Sequence, residues 1–278
     1  MATVDGSVND AEEAALLGLA PVAPPVSERY GPHPSQVIDL YGPGDAPLVA
    51  VLHGGFWREA YDRVHLSPLA AVLADGHGLR VALVEYRRVG GGGGWPGTFE
   101  DVEHALAHLA GSGEVRALVG HSAGGHLVLW AAARGLVTGT VVAVAPVADL
   151  ARAHELGLSG GAVAELLGGA DRVADRLPEA DPMLLPPPDP AAVAVTLLHG
   201  TEDADVPVEL SRRYAAATGA RLTELPGTGH YAPVTPGTAA FGRLVSELVA
   251  GAAAGPETEP AAGAAGPAEA PRKDRRST

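Results

Sequence analysis

The run Val-Arg-Ala-Leu-Val-Gly-His-Ser-Ala-Gly-Gly-His, residues 115–126, decides how the rest of the chain is read. Residues 115–119 are a short apolar stretch of the length expected for a buried strand. Gly120-His121-Ser122-Ala123-Gly124 follows in the form G-x-S-x-G, and a helical pattern begins directly after it, over 124–134. Strand, sharp turn and helix in that order hold Ser122 in a strained conformation with its Oγ exposed at the sheet edge. Flanking glycines let the neighbouring chain approach without a Cβ in the way. The helix N-terminus brings unsatisfied N–H groups beside the hydroxyl. Ser122 is the candidate nucleophile; outside this context the same residues would be an ordinary small-residue turn.

Working outward, short apolar runs recur at 36–40, 48–52, 79–85, 141–145, 193–198 and 221–225. Several are nearly continuous Val, Ala and Leu, as expected of parallel strands covered on both faces. Helical patterns lie at 62–74, 99–110, 209–217 and 237–249, and Thr98-Phe99-Glu100-Asp101 has the form of a helix-capping signal. This alternation predicts an α/β fold, a mostly parallel central sheet with helices on both faces. Right-handed crossovers then gather the loops that follow the strands at one edge, where chemistry collects. The segment 148–190 breaks the rhythm and reads as a short cap above that edge.

A serine hydroxyl needs a base, and the base an orienting acid. The strand at 193–198 leads into His199-Gly200-Thr201-Glu202-Asp203-Ala204-Asp205-Val206-Pro207. Asp203 at the turn is the candidate acid, with Glu202 and Asp205 as competing neighbours. Asp149, after the strand at 141–145, is a further alternative that more naturally opens the cap. The strand at 221–225 feeds Gly227-Thr228-Gly229-His230. His230 is the candidate base, because among 11 histidines it alone follows Asp203. After the strand at 48–52 comes His53-Gly54-Gly55-Phe56-Trp57, whose adjacent glycines can turn their amides toward a ligand. Gly54, Gly55 and the amide of Ala123 are the candidate oxyanion donors. Phe56 and Trp57 either line a substrate pocket or pack the loop.

Composition bounds the rest. The 278 residues carry a net charge of −14, and the single lysine is Lys273, so no basic face is expected to track nucleic acid. With no cysteine, disulfides, thiolate metal sites and a cysteine nucleophile are excluded. No stretch reads as a signal or membrane span, so a cytoplasmic protein is expected. Residues 1–28 read as a poorly ordered acidic and Ala/Pro-rich leader, 29–250 as one domain, and 251–278 as a disordered tail.

The assembled pieces resemble the α/β-hydrolase superfamily of esterases and lipases over roughly 30–250. His53-Gly54-Gly55-Phe56-Trp57 is similar to the HGGxW signature of the kynurenine formamidase (arylformamidase) branch and its bacterial esterase relatives. Tyr30-Gly31-Pro32 and Gln36-Val37-Ile38-Asp39-Leu40-Tyr41 are similar to that branch's entry strand. The resemblance implies a serine hydrolase acting on a small carboxylic ester or aryl formamide, with no cofactor. Its alternatives are a general carboxylesterase or a receptor that uses the fold without turnover. Ser122, Asp203 and His230 would be its triad, with Gly54 and Gly55 in the oxyanion hole.

Two weaker signals remain. His104 and His108 stand one helical turn apart, as a metal pair would, but no third ligand is evident and a solvated face is expected. Glycines 90–94 lack the lysine of a phosphate loop and read as a flexible connection, or as a gate that brings Trp95 to the substrate. Oligomeric state is not legible.

Overall fold

In the computed structural model, residues 6–253 are described. The strands are β1 (Val26–Arg29), β2 (Val37–Tyr41), β3 (Leu48–Leu52), β4 (Arg80–Val84), β5 (Val115–His121), β6 (Gly139–Val144), β7 (Val193–Gly200) and β8 (Arg221–Leu225). They form one sheet in the order β1-β2-β4-β3-β5-β6-β7-β8. The β1/β2 and β2/β4 pairs are antiparallel and every other pair is parallel. The register sets Leu52 of β3 against Gly120 of β5, and Gly200 of β7 against Leu225 of β8. The loop after β3 therefore emerges beside Ser122, and the loops after β7 and β8 emerge beside each other.

Alternate residues of the central strands feed two separate cores, which is why these strands read as unbroken apolar runs. Val49, Val51, Val81, Leu83, Ala117 and Val119 pack on α2 (Ser67–His77) and α9 (Ala239–Ala253). Ala50, Leu52, Ala82, Val84 and Leu118 pack toward α3 (Gly97–Ala110), α4 (Ala123–Ala133) and α8 (Glu209–Thr218). Among the described residues, no helix is long and apolar enough to cross a membrane.

The segment 148–190 contributes α5 (Leu150–Glu155), α6 (Leu158–Leu166) and α7 (Val173–Ala180). It differs from a lid in what it covers. All residues of α4 from Ala123 to Ala132 are buried, one side against the sheet and the other under this segment. His126 Nε2 meets the Ala180 carbonyl at 2.9 Å, and the Trp130 indole N–H donates to the Glu179 carbonyl at 2.9 Å. An amphipathic surface helix would show a polar stripe; α4 has none because both its faces are covered.

Three expectations change. The leader at 1–28 holds a helix, α1 (Gly6–Leu17), and the edge strand β1. Leu16 of α1 is buried in the α2/α9 core, and polar contacts described below attach the rest. Thr98 does not cap α3: Pro96 stands at the cap, while Thr98 Oγ1 donates to the Arg87 carbonyl at 2.6 Å. Glycines 90–94 form a closely wound turn rather than a slack one. Gly90, Gly92 and Gly94 adopt left-handed φ, and a Cβ on Gly93 would lie 2.1 Å from the Arg87 carbonyl oxygen. Trp95 then packs its edge on Phe99, 4.9 Å between ring centres. Of the tail expected over 251–278, residues 251–253 complete α9 and the remainder lies outside the described residues.

Candidate active site

Ser122 sits between β5 and α4 with φ 56 and ψ −116, a conformation that costs a non-glycine residue about 1–3 kcal/mol. Backbone hydrogen bonds hold it there. Its N–H donates to the Val144 carbonyl at 2.8 Å, and its carbonyl accepts from His126 at 3.1 Å and Val147 at 3.3 Å. The glycines of the motif are required by contact. A Cβ on Gly120 would lie 2.1 Å from the Gly124 carbonyl oxygen, and one on Gly124 would lie 2.3 Å from the Leu52 carbonyl oxygen. The elbow is thereby pressed onto the end of β3.

The loops after β7 and β8 deliver Asp203 and His230. His230 Nδ1–H donates to Asp203 Oδ2 at 2.6 Å, with both side chains buried. Asp203 Oδ1 accepts the Asp205 and Val206 amides at 3.0 and 2.8 Å, and His199 Nε2 stands 3.2 Å from Oδ2. Burial pushes the Asp203 carboxyl up, but the charge on His230 and hydrogen bonds from His199 and His230 outweigh it. The net displacement is well below the usual carboxylate range. Of its rivals, Asp205 accepts the Tyr231 hydroxyl at 2.7 Å. Asp149 caps α5 through the Arg152 amide and pairs with Arg213 at 2.7 Å. Glu202 makes no side-chain contact with His230, whose Nδ1 belongs to Asp203.

Ser122 and His230 line one cavity of about 210 Å³, with Phe56, Tyr61, His121 and Tyr231 around them. With Nδ1 committed to Asp203, the remaining ring nitrogen of His230 is left unprotonated in the neutral form, the state needed to take a proton from a hydroxyl. Burial lowers the His230 pKa, and the facing Asp203 charge and hydrogen bond more than reverse that, so the net direction is upward. His121, stacked obliquely 4.7 Å from it, is held far below the ordinary imidazole value by burial and by the His230 charge. Its Nε2–H donates to the His230 carbonyl at 3.0 Å.

The glycine pair after β3 crowds the elbow from the other side. A Cβ on Gly54 would lie 2.9 Å from Ser122 Cβ, and Gly55 has φ +107. Beneath this loop is a buried scaffold that the sequence did not announce. His53 lies between the Gly54 carbonyl, 2.7 Å from Nδ1, and Glu85 Oε1, 3.0 Å from Nε2. Its ring stacks on Tyr86 at 4.5 Å, and the Tyr86 hydroxyl donates to the His53 carbonyl at 2.8 Å. Burial raises the Glu85 carboxyl, yet the His53 charge and hydrogen bond, with Arg88, bring it down to about 2. Glu85 and Tyr86 directly follow β4, and an acidic residue at the end of an apolar run was the one available hint.

Phe56 reaches the cavity and Trp57 does not. Both have positive φ, 47 and 57, so the chain turns at each, and the indole of Trp57 is fully buried against His126, 5.2 Å between ring centres. Of the two roles open to it, Trp57 takes the packing one. From the cap segment only Ser159 lines the cavity; beside it Arg58 forms a two-pronged pair with Glu165 at 2.7 and 3.0 Å. His108 pairs with Glu28 of β1 at 3.1 Å, and His104 is exposed. A roomier depression of about 390 Å³, lined by residues 44–48, Arg80, 112–114 and Arg116, opens at the opposite edge of the sheet and has no histidine in its lining.

The arrangement can activate a hydroxyl and present it to a carbonyl carbon. Because His230 must be neutral to accept that proton, any turnover through Ser122 is expected to rise with pH through an apparent pKa above 6.5. A kcat/KM profile whose acid limb fell below the ordinary imidazole value would contradict the Asp203–His230 geometry.

No protein-family model and no curated protein matches the chain. Solved structures do. Esterase B from Lactobacillus rhamnosis, in a C6-C4 SN3 inhibited form, is 20% identical with a TM-score of 0.67, covering 90% of this chain and 93% of that one. An acetyl ester-xyloside bifunctional hydrolase from Caldicellulosiruptor lactoaceticus is 18% identical with a TM-score of 0.66, covering 84% and 96%. An esterase/lipase from an uncultured bacterium is 20% identical with a TM-score of 0.62, covering 91% and 92%. The strand order, the elbow after β5 and these neighbours together give this chain the α/β-hydrolase fold.

Proposed function

We propose that the chain is a serine hydrolase of small carboxylic esters, with Ser122 as nucleophile, His230 as general base and Asp203 as its orienting acid. The observation that carries this is the 2.6 Å His230–Asp203 hydrogen bond behind a cavity that also holds the strained Ser122. Ser122 Oγ attacks the carbonyl carbon as His230 takes its proton, and the resulting imidazolium is stabilised by Asp203. The amides of Gly54, Gly55 and Ala123 are assigned to the oxyanion. The Ala123 and Gly55 amides donate to no backbone acceptor among the described residues, which leaves them available. Each such donor contributes about 3–4 kcal/mol to a transition state when fully aligned. His230 returns the proton to the leaving alcohol, and water, deprotonated by the same imidazole, then releases the acid from the serine.

The cavity, at about 210 Å³, is below the roughly 300–1,000 Å³ of drug-sized ligand pockets, which supports a short acyl group. An aryl formamide is the second reading. A formyl group is the smallest acyl, and Phe56, Tyr61 and Tyr231 offer ring faces for an aryl leaving group. The likeness of residues 53–57 to the HGGxW signature favours it too. The Asp203–His230 hydrogen bond, in a cavity wall shared with Ser122, weighs against a receptor without turnover.

Steady-state hydrolysis of p-nitrophenyl acetate, butyrate and octanoate beside N-formylkynurenine tests the assignment. Turnover that falls with acyl length is expected. Formamide turnover exceeding that of every ester would move the protein to the second reading, and no turnover of any of them would sink both.

A further inference from the structure

We infer that α1 belongs to the catalytic apparatus, with Asn9 and Glu12 as positioning residues that hold the His230 loop. The inference rests on the serine-hydrolase reading of the site. Four consecutive backbone N–H groups, of residues 229 to 232, all turn toward α1. Gly229 donates to Glu12 Oε1 at 2.7 Å, and Tyr231 and Ala232 donate to Oε2 at 3.0 and 2.8 Å. Between them, His230 N–H donates to Asn9 Oδ1 at 2.8 Å. The His230 carbonyl is taken by His121. Every polar backbone atom of the base is thus fixed by a side chain from outside its own loop.

The fit is close on both sides. A Cβ on Gly229 would lie 2.9 Å from Glu12 Oε2 and 3.0 Å from Asn9 Oδ1. One carboxylate accepting three N–H groups makes charge-assisted bonds, stronger than neutral ones. Hydrophobic burial alone does not account for the attachment, since Leu16 is the one large apolar side chain of α1 that is buried and Leu17 is half exposed. Asn9, a polar residue, is buried instead. The same helix lends Glu13, Leu16 and Leu17 to the cavity wall, so it holds the base and bounds the substrate together. Glu12 also adds a third negative charge acting on the imidazole, after Asp203 and Asp205.

Glu12→Gln, Glu12→Asp, Asn9→Leu and Asn9→Asp in the full chain test this with p-nitrophenyl butyrate. Glu12→Gln presents an amide N–H to backbone donors, so kcat is expected to fall about 10- to 100-fold with KM changed less than about threefold. The acid limb of kcat/KM should move to lower pH, a shift that mere structural support would not cause. Asn9→Asp, which keeps the acceptor oxygen, should retain most of the activity that Asn9→Leu loses. Amide exchange at 229–232 should accelerate in Glu12→Gln and Asn9→Leu. Unchanged kcat, acid limb and amide exchange in both variants would overturn the inference, as would a kcat loss that merely follows a lowered melting temperature with the acid limb unmoved. A wild type without Ser122-dependent turnover would sink the hydrolase reading by itself. The positioning role would then be decided by amide exchange and by NMR titration of the His230 imidazole, neither of which needs a substrate.

Discussion

Ser122→Ala is expected to lower kcat for p-nitrophenyl butyrate by roughly 10⁴- to 10⁶-fold while leaving the melting temperature almost unchanged. The size follows from the unit character of such a site: without the oxygen, the His230–Asp203 pair has nothing to deprotonate. The structural effect should be small, because Ser122 is held by its N–H and carbonyl, and alanine keeps both. Alanine does inherit the positive φ, so no relief of strain is expected either. A variant that retained more than about a hundredth of wild-type turnover would remove Ser122 from the chemistry. Steady-state kinetics beside a thermal melt suffices to decide.

Asp203→Asn should cost roughly 10³- to 10⁴-fold in kcat, and the reason lies in how the carboxylate is already committed. Oδ1 accepts the amides of Asp205 and Val206, so in asparagine the carbonyl oxygen must keep that place. The side-chain NH₂ is then left facing His230 Nδ1. A donor there favours the tautomer whose proton sits on the opposite nitrogen, the one that must accept from Ser122. Asp205→Asn makes the control, since its Oδ2 serves the Tyr231 hydroxyl; less than about a tenfold loss is expected. Equal losses in the two variants would mean that the orienting carboxylate had been misassigned.

The sequence disclosed the features that strands impose. Ser122, Asp203 and His230 each follow an apolar run closely, and a parallel sheet brings those run ends to one edge, so chain order was enough to group them. The Gly54–Gly55 turn was legible for the same reason. The features that were not legible are polar and non-local. Glu85 and Tyr86 read as the ordinary end of β4, yet they fix His53 across 32 and 33 residues. Residues 1–28 looked unable to order because their apolar content was weighed, whereas Asn9 and Glu12 are held by loop amides 217 to 221 residues away. The role of Trp57 stayed open between pocket and packing because adjacency to the glycines does not determine direction; its backbone φ is positive and its indole is buried in the core. Likewise, the apolar content of 148–190 announced a cover without saying that α4, rather than the cavity, lies beneath it.

The separation between α1 and the loop it meets also bears on how the protein is made. A chain emerging from the ribosome has released β3, β5, the elbow, α4 and β6, the parts that hold Ser122, before β8 is made. His230 is not yet synthesised at that stage, and α1, already released, has no loop amides to receive. A nascent polypeptide stalled before β8 therefore carries Ser122 without His230. On the proposed serine-hydrolase reading, competence would therefore wait until both extremities of the fold have come together.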